Sequence, residues 1–226
     1  LYNNLQYFLE RNKLENHVDD KDPMLVKVPL DISFAIYFLN TVSLMVAGPS
    51  SSNSQACLSN KSLLSIKEIK DLLVVSGEWY NLKLALVIFL NNVYVKNRKL
   101  EANEVSELYN IVRNFMFEEL NQYNRLLRNR HLYARPIQQR FDKLIPANYS
   151  LNTEILYSSN IDDAYNQYIL YGVLDTFHFY SERMKDEPSE KDHAILDDFA
   201  SSSLPELKEF WNPKDKSRAF KINEFE

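Results

Sequence analysis

Apolar side chains recur along most of this 226-residue chain at steps of three and four, the spacing of one face of an α-helix. Over residues 2–18 the apolar positions are Leu5, Phe8, Leu9 and Leu14, with Glu10, Arg11 and Lys13 among them. Asp19, Asp20 and Pro23 break that pattern. Pro29 is suited to the start of a second helix, and residues 32–47 (ISFAIYFLNTVSLMVA) are apolar on almost every side before Gly48 and Pro49 end it. A helix of that kind is expected at the centre of a core. Its 16 residues, Asn40 among them, fall short of the ~20 needed to cross a bilayer, so no membrane span is expected.

Residues 50–60 are rich in serine and asparagine and read as a polar loop, the most mobile stretch of the chain. Ser65 and Glu68 have the spacing of a capping box, in which the serine accepts from the backbone three residues on and the glutamate reaches back. The helix they open ends at Gly77, a suitable C-terminal cap. Residues 78–97 follow as a helix with Trp79, Leu82, Leu86, Phe89, Leu90 and Val93 on one face, although Val87, Val93 and Val95 leave a strand open. The clearest helix covers 102–133, where Leu108, Val112, Phe115, Phe117, Leu120, Tyr123 and Leu127 form an apolar stripe and Pro136 forces an end.

A short helical piece fits 137–144. Asn160 is a good N-cap, with Asp162 and Asp163 complementing the dipole of a helix that continues through Tyr165, Tyr168, Ile169, Leu174 and Phe177 to about residue 185. Gly172 inside it costs about 1 kcal/mol against alanine, which calls for a close neighbour. Another helix fits 189–200, and Ser203 with Glu206 forms a second capping box opening a turn to Trp211. These elements predict an all-α fold of about eight helices, as an irregular bundle or a short α-solenoid, with residues 1–211 as one domain and 212–226 as a solvated tail. The alternation of shorter and longer helices resembles HEAT or armadillo solenoids in helical pattern alone, without a fixed repeat or a diagnostic motif.

Composition narrows the function classes. Only three glycines are present, Gly48, Gly77 and Gly172, where average usage would give roughly sixteen. Phosphate-cradling loops and nucleophile elbows need glycine, so almost every glycine-dependent catalytic motif is excluded. Cys57 stands alone and forms no internal disulfide, which points to the cytoplasm or nucleus. The first residue is Leu1, and a fragment of a larger protein or assembly is expected. The net charge of −5 is uneven: the balance is −1 over 1–95, +4 over 96–153 and −8 over 154–226.

That basic middle supplies the candidate binding site. Arg125, Arg128, Arg130, Arg135, Arg140 and Lys143 face a single acid, Asp142, across 19 residues, with Tyr123, His131, Tyr133 and Phe141 interleaved. Guanidinium forks grip phosphates and carboxylates in pairs, and aromatic rings stack on bases, so Tyr133 joins the cations as a candidate contact. The plainer reading has these cations complementing a helix C-terminus and pairing with the acidic last third. Asp175, His178 and Glu182 share one helix face but lack the further ligands a metal site needs, and no metal or cofactor is expected. The expectation is a non-enzymatic helical scaffold or adaptor binding one or more proteins, for which an acidic partner would suit the cations, with nucleic-acid or phosphate-ligand binding at 125–143 as the alternative.

Overall fold

The computed structural model describes residues 1–17, 19–20, 25–47, 63–96, 100–129, 160–184, 190–203 and 205. Those residues form seven helices and no strand beyond one isolated bridge between Leu25 and Asn160. They are α1 (Tyr2–Arg11), α2 (Leu30–Val46), α3 (Ile66–Val75) and α4 (Tyr80–Leu90, continued by a wide turn Asn91–Val95). Then come α5 (Ala102–Ile111, a wide turn Val112–Met116, and Phe117–Asn129) and α6 (Ile161–Tyr168, a wide turn Ile169–Val173, and Leu174–Met184). The last is α7 (Glu190–Asp198, ending in a wide turn Phe199–Ser203). The all-α expectation is met. The short helix at 137–144, the loop at 50–60, the turn to Trp211 and the tail at 212–226 lie outside the described residues.

Local signals set most of the boundaries. Pro29 precedes α2 in an extended conformation, and both arms of the Ser65–Glu68 capping box are made. The Ser65 hydroxyl accepts from the Glu68 amide at 3.2 Å, and Glu68 Oε2 accepts from the Ser65 amide at 2.7 Å. Past the end of α3, Gly77 takes φ 53°, the left-handed region in which a side chain is costly. Asn160 caps α6 by accepting from the Asp163 amide at 3.1 Å. The first helix is shorter than its pattern predicts: α1 stops at Arg11, and Leu14 belongs to a separate 3₁₀ turn, Leu14–Asn16.

The centre of the core is α4, not α2 as the apolar run at 32–47 predicted. From Asn81 to Val87 every residue of α4 is buried, because α2, α3 and α6 all pack against it. Gly172 marks where α6 passes over α4. A Cβ there would stand 3.4 Å from Leu84 Cδ1 and 3.5 Å from Val87 Cγ1, so the helix backbone lies directly on α4. Trp79 pins the entrance of α4 by donating its indole N–H to the Asn12 carbonyl at 3.0 Å. Tyr94 pins the exit, donating its hydroxyl to the Leu64 carbonyl at 2.7 Å.

Four described helices contain a wide, π-type turn, and these turns set which side chains face inward. In α5 the buried positions are Leu108, Ile111, Val112, Met116, Leu120 and Tyr123. Repeated steps of four drift about 40° each around a regular helix, and one wide turn absorbs that drift. As a result Phe115 and Phe117, predicted on the stripe, are half-buried at its edges, while Ile111 and Met116 take inner places.

Candidate functional surface

α2 has two faces, both apolar. Ile32, Ala35, Ile36, Leu39 and Val46 are buried in the core. On the other side Leu30 (83% exposed), Phe34 (61%), Tyr37 (64%) and Leu44 (53%) stand in solvent. Together with exposed Thr41 they follow steps of four, three, four and three, which keeps them on one stripe. No lysine, arginine, aspartate or glutamate occurs from residue 32 to residue 47. Phe34 stacks along the stripe on Phe38, with ring centroids 6.2 Å apart. Even the polar member is closed off: Thr41 donates its hydroxyl to the Tyr37 carbonyl at 2.8 Å, leaving its methyl as the free group. Near the start of the stripe Arg11 lies 4.0 Å from Asp31, joining α1 to α2 at a distance and exposure worth little energy.

Behind the opposite side of the fold, between α4, α5 and α6, lies a buried charged cluster. Lys83, on the otherwise uncharged α4, donates to Glu119 of α5 at 2.8 Å, with the two side chains 8% and 14% exposed. Its ammonium also lies 5.5 Å from the ring centre of Tyr80, 5.5 Å from that of Tyr168 and 5.8 Å from that of Phe115. Tyr80 packs on Tyr165 at 4.5 Å, and Tyr123 meets Tyr165 edge-on at 5.4 Å and donates to Asn166 Oδ1 at 2.9 Å. Burial pushes the Tyr165 and Tyr168 phenols well above their ordinary range, with Glu119 adding to the shift. The Tyr168 hydroxyl is fully buried and has no hydrogen-bond partner among the described residues. With Lys83 and Glu119 both largely buried, the cluster orients three helices against one another.

A second polar grouping runs along the exposed side of α4 and α6. Lys96 donates to Asn92 Oδ1 at 2.8 Å and stands 3.9 Å above the Phe179 ring, where desolvation lowers the ammonium and Asp175 partly offsets it. His178 meets Phe179 edge-on at 5.4 Å. Among the described residues no three histidine, cysteine, aspartate or glutamate side chains gather to hold a metal. The recess lined by Leu14, Val26, Val28, Trp79, Tyr80 and Ile161 is at the size limit for a single water.

Of the arginine-rich segment, Arg125 is exposed on α5, 4.0 Å from Glu118 of the same helix. Arg128 falls on α5, and Arg130, Tyr133, Arg135, Arg140 and Lys143 lie outside the described residues. Tyr123 is buried against Tyr165 and Asn166, which removes it as a stacking face for a base. Sequence reasoning missed two features. The lone lysine in NLKLALVIFL was the visible signal for the buried cluster, and the uncharged run at 32–47 contained the exposed stripe without separating its two faces.

Among the described residues no helix is long and apolar enough to cross a membrane. Comparison with protein families, with curated proteins and with solved structures finds no match for this chain.

Proposed function

We propose that this chain is a non-enzymatic helical scaffold or adaptor domain that binds protein through the exposed apolar face of α2. The observation that carries the reading is the uncharged stripe of Leu30, Phe34, Tyr37 and Leu44 on four helical turns. Single exposed apolar residues are ordinary, but a contiguous patch of several hundred Å² is characteristic of an interaction surface. An aromatic side chain that is about 60% exposed leaves roughly 120 Å² in water, so the four residues together leave roughly 500 Å². At about 25 cal/mol per Å², covering that area is strongly favourable before the costs of association.

The rest of the fold supports this use of α2. Its inner face is fixed to α4 by Ile32, Ile36 and Leu39, and Asn92 donates to the Ser43 carbonyl at 3.3 Å, so the outer face is presented on a rigid element. The absence of a disulfide partner for Cys57 fits a subunit of a complex in the cytoplasm or nucleus. Arg125, the cation of the arginine-rich segment whose side chain is described, lies 4.0 Å from Glu118 of its own helix, and the alternative of phosphate binding at 125–143 rests mainly on residues outside the described ones.

The test is the combined variant Phe34→Glu, Tyr37→Glu and Leu44→Glu. Substitutions on a free surface move stability by about 0.5 kcal/mol each, so its circular dichroism and Tm stay within a few degrees of the parent. A folded variant that no longer retains the partners held by the parent supports the proposal. A variant that fails to fold makes the stripe part of the core, and one that retains every partner removes it as the docking surface.

A further inference from the structure

We infer that the occupant of the α2 stripe is α2 of a second copy of this chain, packed antiparallel about a two-fold axis at Tyr37. The inference rests on the docking reading of the preceding subsection and names its partner. Three observations carry it.

The first is self-complementarity. With Tyr37 on the axis, an antiparallel copy sets Leu30 beside Leu44 of its partner and Phe34 beside Thr41, within one residue of register. Leu30 and Leu44 then pair leucine on leucine and Tyr37 meets its own copy, while Phe34 meets the smaller Thr41, so apolar or uncharged groups face one another along the whole seam. The steps of four and three along the stripe are those of a helix seam that packs at a shallow left-handed crossing. A two-fold contact requires one patch to match itself, and this one does so at Leu30, Tyr37 and Leu44, with Phe34 and Thr41 offset by one residue.

The second is charge. The chain carries −5 overall, yet residues 32–47 carry none, so two copies meeting along this face bring only Asp31 of each to its edge. Thr41 presents a methyl rather than an open donor, because its hydroxyl is held by Tyr37. A partner that is itself charged gains nothing from this surface. An anionic bilayer is disfavoured on the same ground, since Arg11 at the start of the stripe lies beside Asp31 and residues 32–47 add no lysine or arginine.

The third is area. Roughly 500 Å² from each copy gives about 1,000 Å² in all, the lower bound for a specific interface. The expected dimer is therefore reversible, forming in the micromolar range and above. It is not an obligate assembly.

The experiment is sedimentation velocity of residues 1–226 from about 1 to 200 μM, together with disulfide trapping in a Cys57→Ser background. The parent is expected to shift from 26.6 kDa toward twice that mass as concentration rises. Phe34→Glu is expected to weaken association by about 30-fold or more, the loss typical of a central interface residue. Tyr37→Cys is expected to cross-link to itself under mild oxidation. Leu30→Cys is expected to cross-link to Leu44→Cys in a mixture faster than either does alone. A species of 26.6 kDa at every concentration, with Tyr37→Cys open to an external thiol reagent, overturns self-pairing and leaves the docking reading standing. The same mass with Tyr37→Cys closed to the reagent overturns both. A dimer indifferent to Phe34→Glu overturns the assignment of the interface to α2.

Discussion

Replacing Lys83 by methionine removes the cation at the junction of α4, α5 and α6 while nearly preserving side-chain volume. The structure sets the magnitude. The Lys83 ammonium is 2.8 Å from Glu119, and the Glu119 side chain is only 14% exposed, so the variant leaves a carboxylate largely desolvated and unpaired. Breaking such a pair costs about 3–5 kcal/mol, a total that includes the lost attraction to the rings of Tyr80, Phe115 and Tyr168. Against a total stability of about 5–15 kcal/mol, that loss lowers Tm by about 6–20 °C. The double variant Lys83→Met with Glu119→Leu buries no charge and is expected within about 1 kcal/mol of the parent, since the net worth of a buried pair is small. Urea titration followed by far-ultraviolet circular dichroism measures all four corners of this cycle, provided the slope with denaturant is unchanged. A single variant within 1 kcal/mol of the parent would refute the reasoning, as would a double variant as unstable as the single one.

Other consequences are equally direct. Tyr168→Phe removes a buried hydroxyl that has no partner among the described residues and is expected to stabilise the fold by about 1 kcal/mol in the same titration; destabilisation would show that the hydroxyl is satisfied. Because the Tyr165 and Tyr168 phenols are raised in the folded state, the unfolded chain loses its protons first as pH rises past about 10. Stability is therefore fully present below that pH and falls above it, by up to about 2.7 kcal/mol per pH unit for the two groups together, and Tyr168→Phe should reduce that slope. The two described glycines should respond in opposite directions to alanine. Gly77→Ala is strained at φ 53° and is expected to lose about 1–2 kcal/mol, whereas Gly172→Ala meets Leu84 at an ordinary 3.4 Å and is expected to gain up to about 1 kcal/mol. Equal effects at both sites in thermal melts would contradict the packing described here.

What was legible in the sequence was local. Pro29, the Ser65–Glu68 box, Gly77 and the Asn160 cap act within a few residues of themselves, and each sits where its chemistry predicts. Leu84 is the neighbour expected at Gly172, but at 3.4 Å from a Cβ it leaves room for alanine, so packing does not require the glycine. The choice of central helix was not legible, because residues 32–47 and 80–95 are both apolar on nearly all sides. What decides between them is how many other helices pack against each, and α4 receives α2, α3 and α6. The partnership of Lys83 with Glu119 spans 36 residues of sequence and leaves no spacing signal. The wide turns also escaped, since one extra residue per turn shifts Ile111 and Met116 inward and the flanking phenylalanines outward without changing composition.

The most direct test of the account is the thiol reactivity of Phe34→Cys in a Cys57→Ser background, measured as a function of protein concentration. An exposed docking face predicts labelling near the rate of a free thiol in dilute solution and progressive protection as copies pair at higher concentration. Slow labelling at every dilution would mean that the chain covers this face itself and would contradict the proposed function. Fast labelling at every concentration would contradict the pairing.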